Sequence, residues 1–421
     1  MEERHEALVG LYLNRSARHP LRVSLHEASD WACSEYEDED EAIRVLGSTG
    51  WDVFCSVMSE IHRCTELDYN YVNDNLIGHV KPYVATRREF SVLSSFSDGI
   101  ASPNISTNAR WFWQSIKMAP RLTCLTVQES GKVEYIPDRL QSLKFCWPVD
   151  SVVISRLLSR ATHLKTLYIG HHYQSSEPTH GSITLPGLQH LTLNETSSLS
   201  TRGAFLRELT VPALSSLEVN SEDQFSLHLF DPETADFSTL HAMLKQSSCS
   251  LQRLRLSIPT INLQSHSTIA FLQTMSDLTH LTLEYSVTSE WPSIIPDLCA
   301  PKMVPPSNDT SQASLRCLLP RLEKLSITEH SFKEPYGLAE SVRNVESIIT
   351  VLESEWDSSG QWSLVDLSLS FASEERTSHR RGVVFTKPLL PLDLANRVRK
   401  LKAKGLWRFT VTLPRVRSAN P

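Results

Sequence analysis

An α/β fold of stacked helix–strand repeats is what this sequence predicts, and three observations predict it. The first is a six-residue phrase, Leu-x-x-Leu-x-(Leu/Ile/Val/Phe), which occurs nine times between Leu122 and Leu369. The second is the internal spacing of that phrase. Its second and third apolar positions are two apart, as on one face of a strand, while the first lies three residues earlier, so the chain turns into a short strand with all three side chains inward. The third is a set of apolar stripes at helical spacing that fall just before strand phrases: Phe237, Leu240, Met243 and Leu244; Ile269, Leu272 and Met275; Val342, Val345, Ile349 and Leu352. One such strand with its return segment cannot bury its own apolar face, so stacked neighbours must complete a continuous core. The expected architecture is therefore a leucine-rich repeat solenoid, an irregular horseshoe of helix–strand repeats with a parallel sheet on its concave face.

Taken along the chain, residues 1–115 precede the first phrase and read as an N-terminal flank of atypical repeats. Within them Glu35–Glu41 sets six carboxylates around one tyrosine, a self-repelling run expected to stay a solvated loop. Residues 116–375 form the solenoid, its phrases opening at Leu122, Leu140, Leu164, Leu188, Leu214, Leu251, Leu278, Leu322 and Leu364. Successive openings are 18, 24, 24, 26, 37, 27, 44 and 42 residues apart. The early distances sit near the usual repeat of about 20–29, and the later ones leave room for helices. From 291 to 320 the six prolines Pro292, Pro296, Pro301, Pro305, Pro306 and Pro320, with polar Ser307–Ser314 between them, predict an insertion loop that continues neither strand nor helix. Residues 376–421 read as a basic C-terminal cap. Between Arg376 and Arg417 twelve Lys and Arg stand against the single acid Asp393, and Leu394, Val398 and Leu401 share one face of an amphipathic helix suited to closing an open solenoid end.

Composition narrows the function. The chain is 40% hydrophobic and 21% charged with a formal net charge of -7, which argues against a general polyanion binder, so no nucleic-acid partner is expected. No run of about 18 apolar residues is present, and no membrane span is expected. The first 25 residues are broken by Glu2, Glu3, Arg4, His5, Arg15, Arg18 and Arg22 and hold no secretory apolar core. The eight cysteines are scattered with no Cys-x-x-Cys, the pattern of reduced thiols in the cytoplasm or nucleus. Gly-x-Gly-x-x-Gly, Walker A, His-Glu-x-x-His and Gly-x-Ser-x-Gly motifs are missing, so neither a cofactor nor a catalytic role is expected. The pair His171 and His172 is the most suggestive of metal, but adjacent side chains on an extended segment point to opposite faces and do not easily share one ion.

What the repeat offers is a surface. Within each phrase the third and fifth positions alternate with the buried leucines and face the concave side. The side chains there that can anchor a protein partner are Tyr168, His190, Glu218, Arg253, Arg255, His280, Lys324 and Asp366. Arg253 and Arg255 share one strand phrase and are expected to meet an acidic partner together.

Four stretches carry a family resemblance. Ala7–Leu21 has a leucine-rich run leading into Arg15-Ser16 and then Pro20-Leu21. Pro212–Val219 and Ser247–Leu254 are repeat phrases, and Arg399–Leu406 joins a basic helix to a last strand. In this order they resemble the leucine-rich repeat part of the F-box proteins of mushroom-forming fungi, over nearly the whole chain. The resemblance implies substrate recognition for a cullin-RING ubiquitin ligase, with the F-box itself docking a Skp-type adaptor. That box would precede residue 7, where only Met1–Glu6 stand, so adaptor binding is expected only if an upstream F-box exists. The asparagine usual at the ninth repeat position is replaced by Ser130, Pro148, His172, Thr196, Glu222, Pro259, Ser286, His330 and Ala372, which predicts irregular repeats. A stand-alone leucine-rich repeat interaction module with no ligase role is the alternative reading.

Overall fold

The computed structural model describes residues 2–17, 19–26, 39–70, 77–80, 90–99, 109–127, 134–146, 149–170, 172–173, 182–195, 203–221, 237–257, 271–286, 302–303, 315–316, 319–331, 338–359, 364–373, 385–386, 390–406, 408–413 and 416–417. Thirteen strands form the principal sheet and follow one another across it in chain order. The first six are β1 (Leu21–His26), β2 (Cys64–Asn70), β3 (Ser95–Asp98), β4 (Cys124–Val127), β5 (Ser142–Phe145) and β6 (Thr166–Ile169). The others are β7 (His190–Glu195), β8 (Ser216–Ser221), β9 (Arg253–Ser257), β10 (His280–Ser286), β11 (Lys324–Ser331), β12 (Asp366–Ser373) and β13 (Arg408–Thr412). The helices are α1 (Glu2–Ser16), α2 (Glu39–Ser59), α3 (Arg110–Met118), α4 (Ser151–Leu158), α5 (Gly203–Glu208), α6 (Ser238–Ser247), α7 (Leu338–Ser359) and α8 (Leu392–Ala403). The chain is thus α/β with a large parallel sheet. It divides into two compact units, Met1–Gln189 with Glu208–Val211, and His190–Arg207 with Pro212–Pro421.

The nine phrases explain why the strands form where they do. All three apolar positions of every phrase are buried, none more than 3% exposed. A recurring turn delivers each strand. The amide of the first phrase leucine donates to the carbonyl three residues back in Leu122 to Ala119 (3.3 Å), Leu164 to Ala161 (3.2 Å), Leu188 to Leu185 (3.3 Å), Leu278 to Met275 (3.1 Å) and Leu322 to Leu319 (3.2 Å). In three of these turns a proline, Pro120, Pro186 or Pro320, holds the second position, where its fixed φ favours the bend.

Consecutive strands are then locked at the second phrase position. The Gln141 and Ser142 amides share the Thr123 carbonyl, the Lys165 and Thr166 amides share that of Gln141, and the Thr279 and His280 amides share that of Gln252. Hydroxyls at this position repeat the link: Thr65 Oγ1 donates to the Leu21 carbonyl (3.1 Å), Ser94 Oγ to Thr65 (2.9 Å), Thr123 Oγ1 to Ser94 (3.3 Å) and Thr279 Oγ1 to Gln252 (3.1 Å). Gly170 ends β6 because a Cβ there would lie 2.5 Å from the Cys146 carbonyl oxygen, a distance no side chain tolerates.

The sheet reaches past both ends of the leucine phrases. Cys64, Leu67 and Tyr69 in the β2 segment, and Leu93, Phe96 and Asp98 at β3, occupy the same three inward positions and are buried at 2% exposure or less. Leu406, Phe409 and Val411 repeat the spacing at β13, where Phe409 pairs with Leu367 and Val411 with Leu369. In the first unit an aromatic cluster fills the space behind these strands. Phe112 of α3 meets Phe90 (5.6 Å, 84°) and Phe96 (5.8 Å, 69°) edge-on, and Trp113 meets Phe96 at 5.5 Å and 74°. In the second unit Phe237 stacks on Phe271 at 4.9 Å, joining the return segments that lead into β9 and β10.

Two regions differ from what composition suggests. Helix α2 begins at Glu39, inside the acidic run, and Gly47 breaks it with φ 72° and ψ 159°. Carboxylates in a first helical turn are favoured by the partial positive charge of the helix N-terminus, which is why Glu39, Asp40 and Glu41 enter the helix. The rest of the run, Glu35–Asp38, lies outside the described residues. Within the proline-rich insertion Lys302–Met303 and Leu315–Arg316 pair antiparallel, using residues that the prolines flank rather than occupy. His172–Tyr173 pairs parallel with Val149–Asp150, while His171 is outside the described residues. The basic C-terminal helix α8 buries Leu394, Val398 and Leu401 and grips α7 through Arg397.

Candidate binding face

Parallel register lines up the outward side chains into columns. On the second unit one column runs His190, Ser216, Arg253, His280, Lys324, Asp366 and Arg408, and the next runs Thr192, Glu218, Arg255, Thr282, Ser326, Ser368 and Thr410. The register follows from the phrase, because aligning the buried leucines of neighbouring strands aligns every position between them. On the first unit the corresponding columns are Arg22, Glu66, Ser95, Cys124, Ser142 and Thr166, and Ser24, Asp68, Ser97, Thr126, Lys144 and Tyr168.

The eight residues expected to anchor a partner all stand on these columns, seven of them on the second unit. Tyr168 is on the first unit, with the Lys144 Nζ 4.5 Å from its ring centroid. His190 is exposed opposite Ser216. Arg255 is committed within the chain: its Nη1 lies 2.9 Å from Glu218 Oε1, and its Nη2 donates to Glu284 Oε1 (2.9 Å) and Oε2 (3.1 Å). Burial works against the Arg255 charge, but Glu284 and Glu218 outweigh it and hold the guanidinium above its ordinary value. Glu218 also accepts a hydrogen bond from Asn220 Nδ2 (3.0 Å). Arg253 and Arg255 share a strand, as the spacing requires, yet only Arg253 remains without a carboxylate partner among the described residues.

Arg253, His280 and Lys324 stand side by side on β9, β10 and β11. His280 Nδ1 lies 2.8 Å from Thr279 Oγ1. Burial first, and then the like charges of Lys324 and Arg253, push the imidazole below its ordinary value, against a smaller opposing pull from Glu323 and Asp366. Asp366 lies 3.6 Å from Arg408 across β12 and β13.

Sequence reasoning missed Glu284 and Arg408 as parts of this face. Arg408 was hidden because its strand phrase carries Phe409 in place of the second leucine. Glu284 is the first residue beyond the phrase, where β10 continues further than six residues announce. Away from the sheet face, a cavity of about 350 Å³ in the second unit is lined by His241, Lys245, Ser248, Cys249 and Asp277 among others. Its thiol is pushed up by burial, and Asp277 is held by Ser250 Oγ (2.8 Å) and Arg321 Nη1 (2.7 Å), so neither is poised as nucleophile or base.

Among the described residues no three His, Cys, Asp or Glu side chains converge on a point suited to a metal ion. Among them, too, no helix is long and apolar enough to cross a membrane. Comparison with protein-family models and with curated proteins gives no match to this chain.

Proposed function

We propose that the chain is a leucine-rich repeat solenoid acting as a non-catalytic protein-binding scaffold, the substrate-recognition part of an F-box-type cullin-RING ubiquitin ligase receptor. The observation that carries the scaffold reading is the open sheet face of each unit, where in-register columns present exposed or half-buried polar, charged and aromatic side chains over a fully buried leucine layer. Such a face is rigid, because every outward residue is flanked by inward ones, and a rigid surface loses little conformational entropy on binding. The ligase part rests on the resemblance of Ala7–Leu21, the repeat phrases and Arg399–Leu406, and it implies work in the cytoplasm or nucleus.

A photo-crosslinking residue placed in turn at Thr192, Ser326 and Ser368 tests the scaffold, with Lys402 on α8 as control. Partner adducts should form from the sheet positions and not from the control. Equal adducts from Lys402, or none from the sheet, would overturn the reading. Purification of the full-length product of the gene, scored for the Skp-type adaptor and the cullin, separates the ligase receptor from a stand-alone interaction module. Recovery of both subunits supports the receptor, and crosslinked partner without either supports the module.

A further inference from the structure

We propose that the row formed by Arg253, His280 and Lys324 on the second unit docks a short acidic segment of the partner protein, with two of its carboxylates set along three adjacent strands. This inference rests on the scaffold reading and names the chemistry of its partner.

The row is continuous by register, Arg253 opposite His280 and His280 opposite Lys324. With adjacent strands about 4.8 Å apart, it spans roughly 10 Å. Alternate side chains of an extended peptide recur about every 6.7 Å, so two carboxylates of one acidic strand fit within it. Among the described residues no carboxylate pairs with Arg253 or Lys324, both of which are exposed. The other arginines nearby are engaged: Arg255 by Glu218 and Glu284, and Arg408 by Asp366. Among the described residues the positive potential of this row is therefore not cancelled by an ion pair, and an acidic partner completes the neutralisation that the next column achieves by itself.

The surroundings also set the ligand's size. Asp366 closes the row at one end and neutral Ser216 at the other, while Glu218 stands in the next column beside Arg255 and Glu284 one column further on. A nucleic-acid backbone carries its charge without interruption and would run onto these carboxylates, whereas a short acidic stretch of polypeptide stops short of them.

His280 makes the docking respond to pH. Arg253 from β9, Lys324 from β11, Asp366 from β12 and Glu323 beside Lys324 are the charges that act on it, and the net effect keeps the imidazole neutral at neutral pH. A carboxylate brought to the row favours the imidazolium, so the ligand binds more tightly as the pH falls.

The test is fluorescence anisotropy of the full chain at low ionic strength with fluorescein-labelled deca-glutamate, deca-glutamine and an oligo-dT ten-mer. Deca-glutamate should bind and deca-glutamine should not. The double variant R253E/K324E should weaken deca-glutamate by about tenfold or more, and R253Q/K324Q by a smaller factor. Reversal of Arg399 and Lys402 on α8 should leave it unchanged. Binding should tighten severalfold from about pH 7.5 to about pH 5.5, a response lost in H280Q. No binding of deca-glutamate, tighter binding of the oligo-dT, equal affinity in R253E/K324E, or loss that follows the α8 variant instead would each overturn the inference. If the crosslinks at Thr192, Ser326 and Ser368 form nonetheless, the scaffold stands and only the acidic chemistry falls.

Discussion

Leu191 and Leu254 are 1% and 2% exposed, each the second apolar position of its phrase. Neighbouring strands put the same position beside them, Leu217 being paired with both. A leucine so placed is walled by its own repeat and by the next, and the wall cannot collapse without moving the register of a strand. Leu191→Ala or Leu254→Ala should therefore lower stability by roughly 2–5 kcal/mol, read as a shift of the urea midpoint. Midpoints equal to wild type would mean that the inward face is assigned to the wrong residues. These positions were legible in the sequence because burial recurs at one spacing. The engagement of Arg255 was not legible, since Glu284 lies 29 residues from it and reaches it only through the register of β9 on β10.

At the scale of the element, α8 shows how a charged helix is held. Its Arg397 Nε donates to Glu353 Oε1 (3.2 Å) and Oε2 (3.0 Å), and its Nη2 donates to Glu353 Oε2 and to Thr350 Oγ1, both at 2.7 Å. The hydrogen bonds it donates to Glu353 hold the guanidinium above its ordinary value, against the opposing cost of burial. The acceptors belong to α7, so this arginine joins the two helices. Arg397→Ala should cost about 1–2 kcal/mol, because the site is partly open to solvent and the pair is screened accordingly. In a double-mutant cycle with Glu353→Ala the two losses should fall short of additivity by about 1 kcal/mol, and full additivity would show that the link carries no energy. The amphipathic pattern of α8 could be read from Leu394, Val398 and Leu401, but its partner could not, because Glu353 and Arg397 are 44 residues apart.

For the molecule as a whole, alkaline pH should be destabilising, most strongly through the interior thiol of Cys64. Burial pushes Cys64 up from 9.0 to about 12, over the opposing pull of Arg63, with Glu60 adding a smaller push upward. The unfolded chain releases this proton near 9.0 while the folded chain keeps it until about 12. The stability held in the neutral thiol is thus fully present below 9.0 and is lost as the pH rises towards 12. Urea midpoints taken stepwise across that interval should fall, and Cys64→Ala should make the decline shallower. An unchanged slope in the variant would remove Cys64 from the account. Native alkylation should mark exposed Cys124 well before Cys64.

By itself the sequence determined the parallel α/β architecture, the nine strands from β4 to β12 and the outward columns, because a three-point apolar phrase sets burial, direction and register together. Strands β1, β2, β3 and β13 escaped it, since Val23, Cys64, Phe96 and Phe409 fill leucine positions and a core selects for volume and apolarity rather than for one residue type. Only the tertiary structure decided which outward charges are already satisfied. Arg253 and Arg255 are two residues apart and chemically alike, yet one is held by Glu218 and Glu284 and the other has no carboxylate partner among the described residues. Ion pairing depends on what stands across the strand, and strands adjacent in space are separated in sequence by return segments of unequal length.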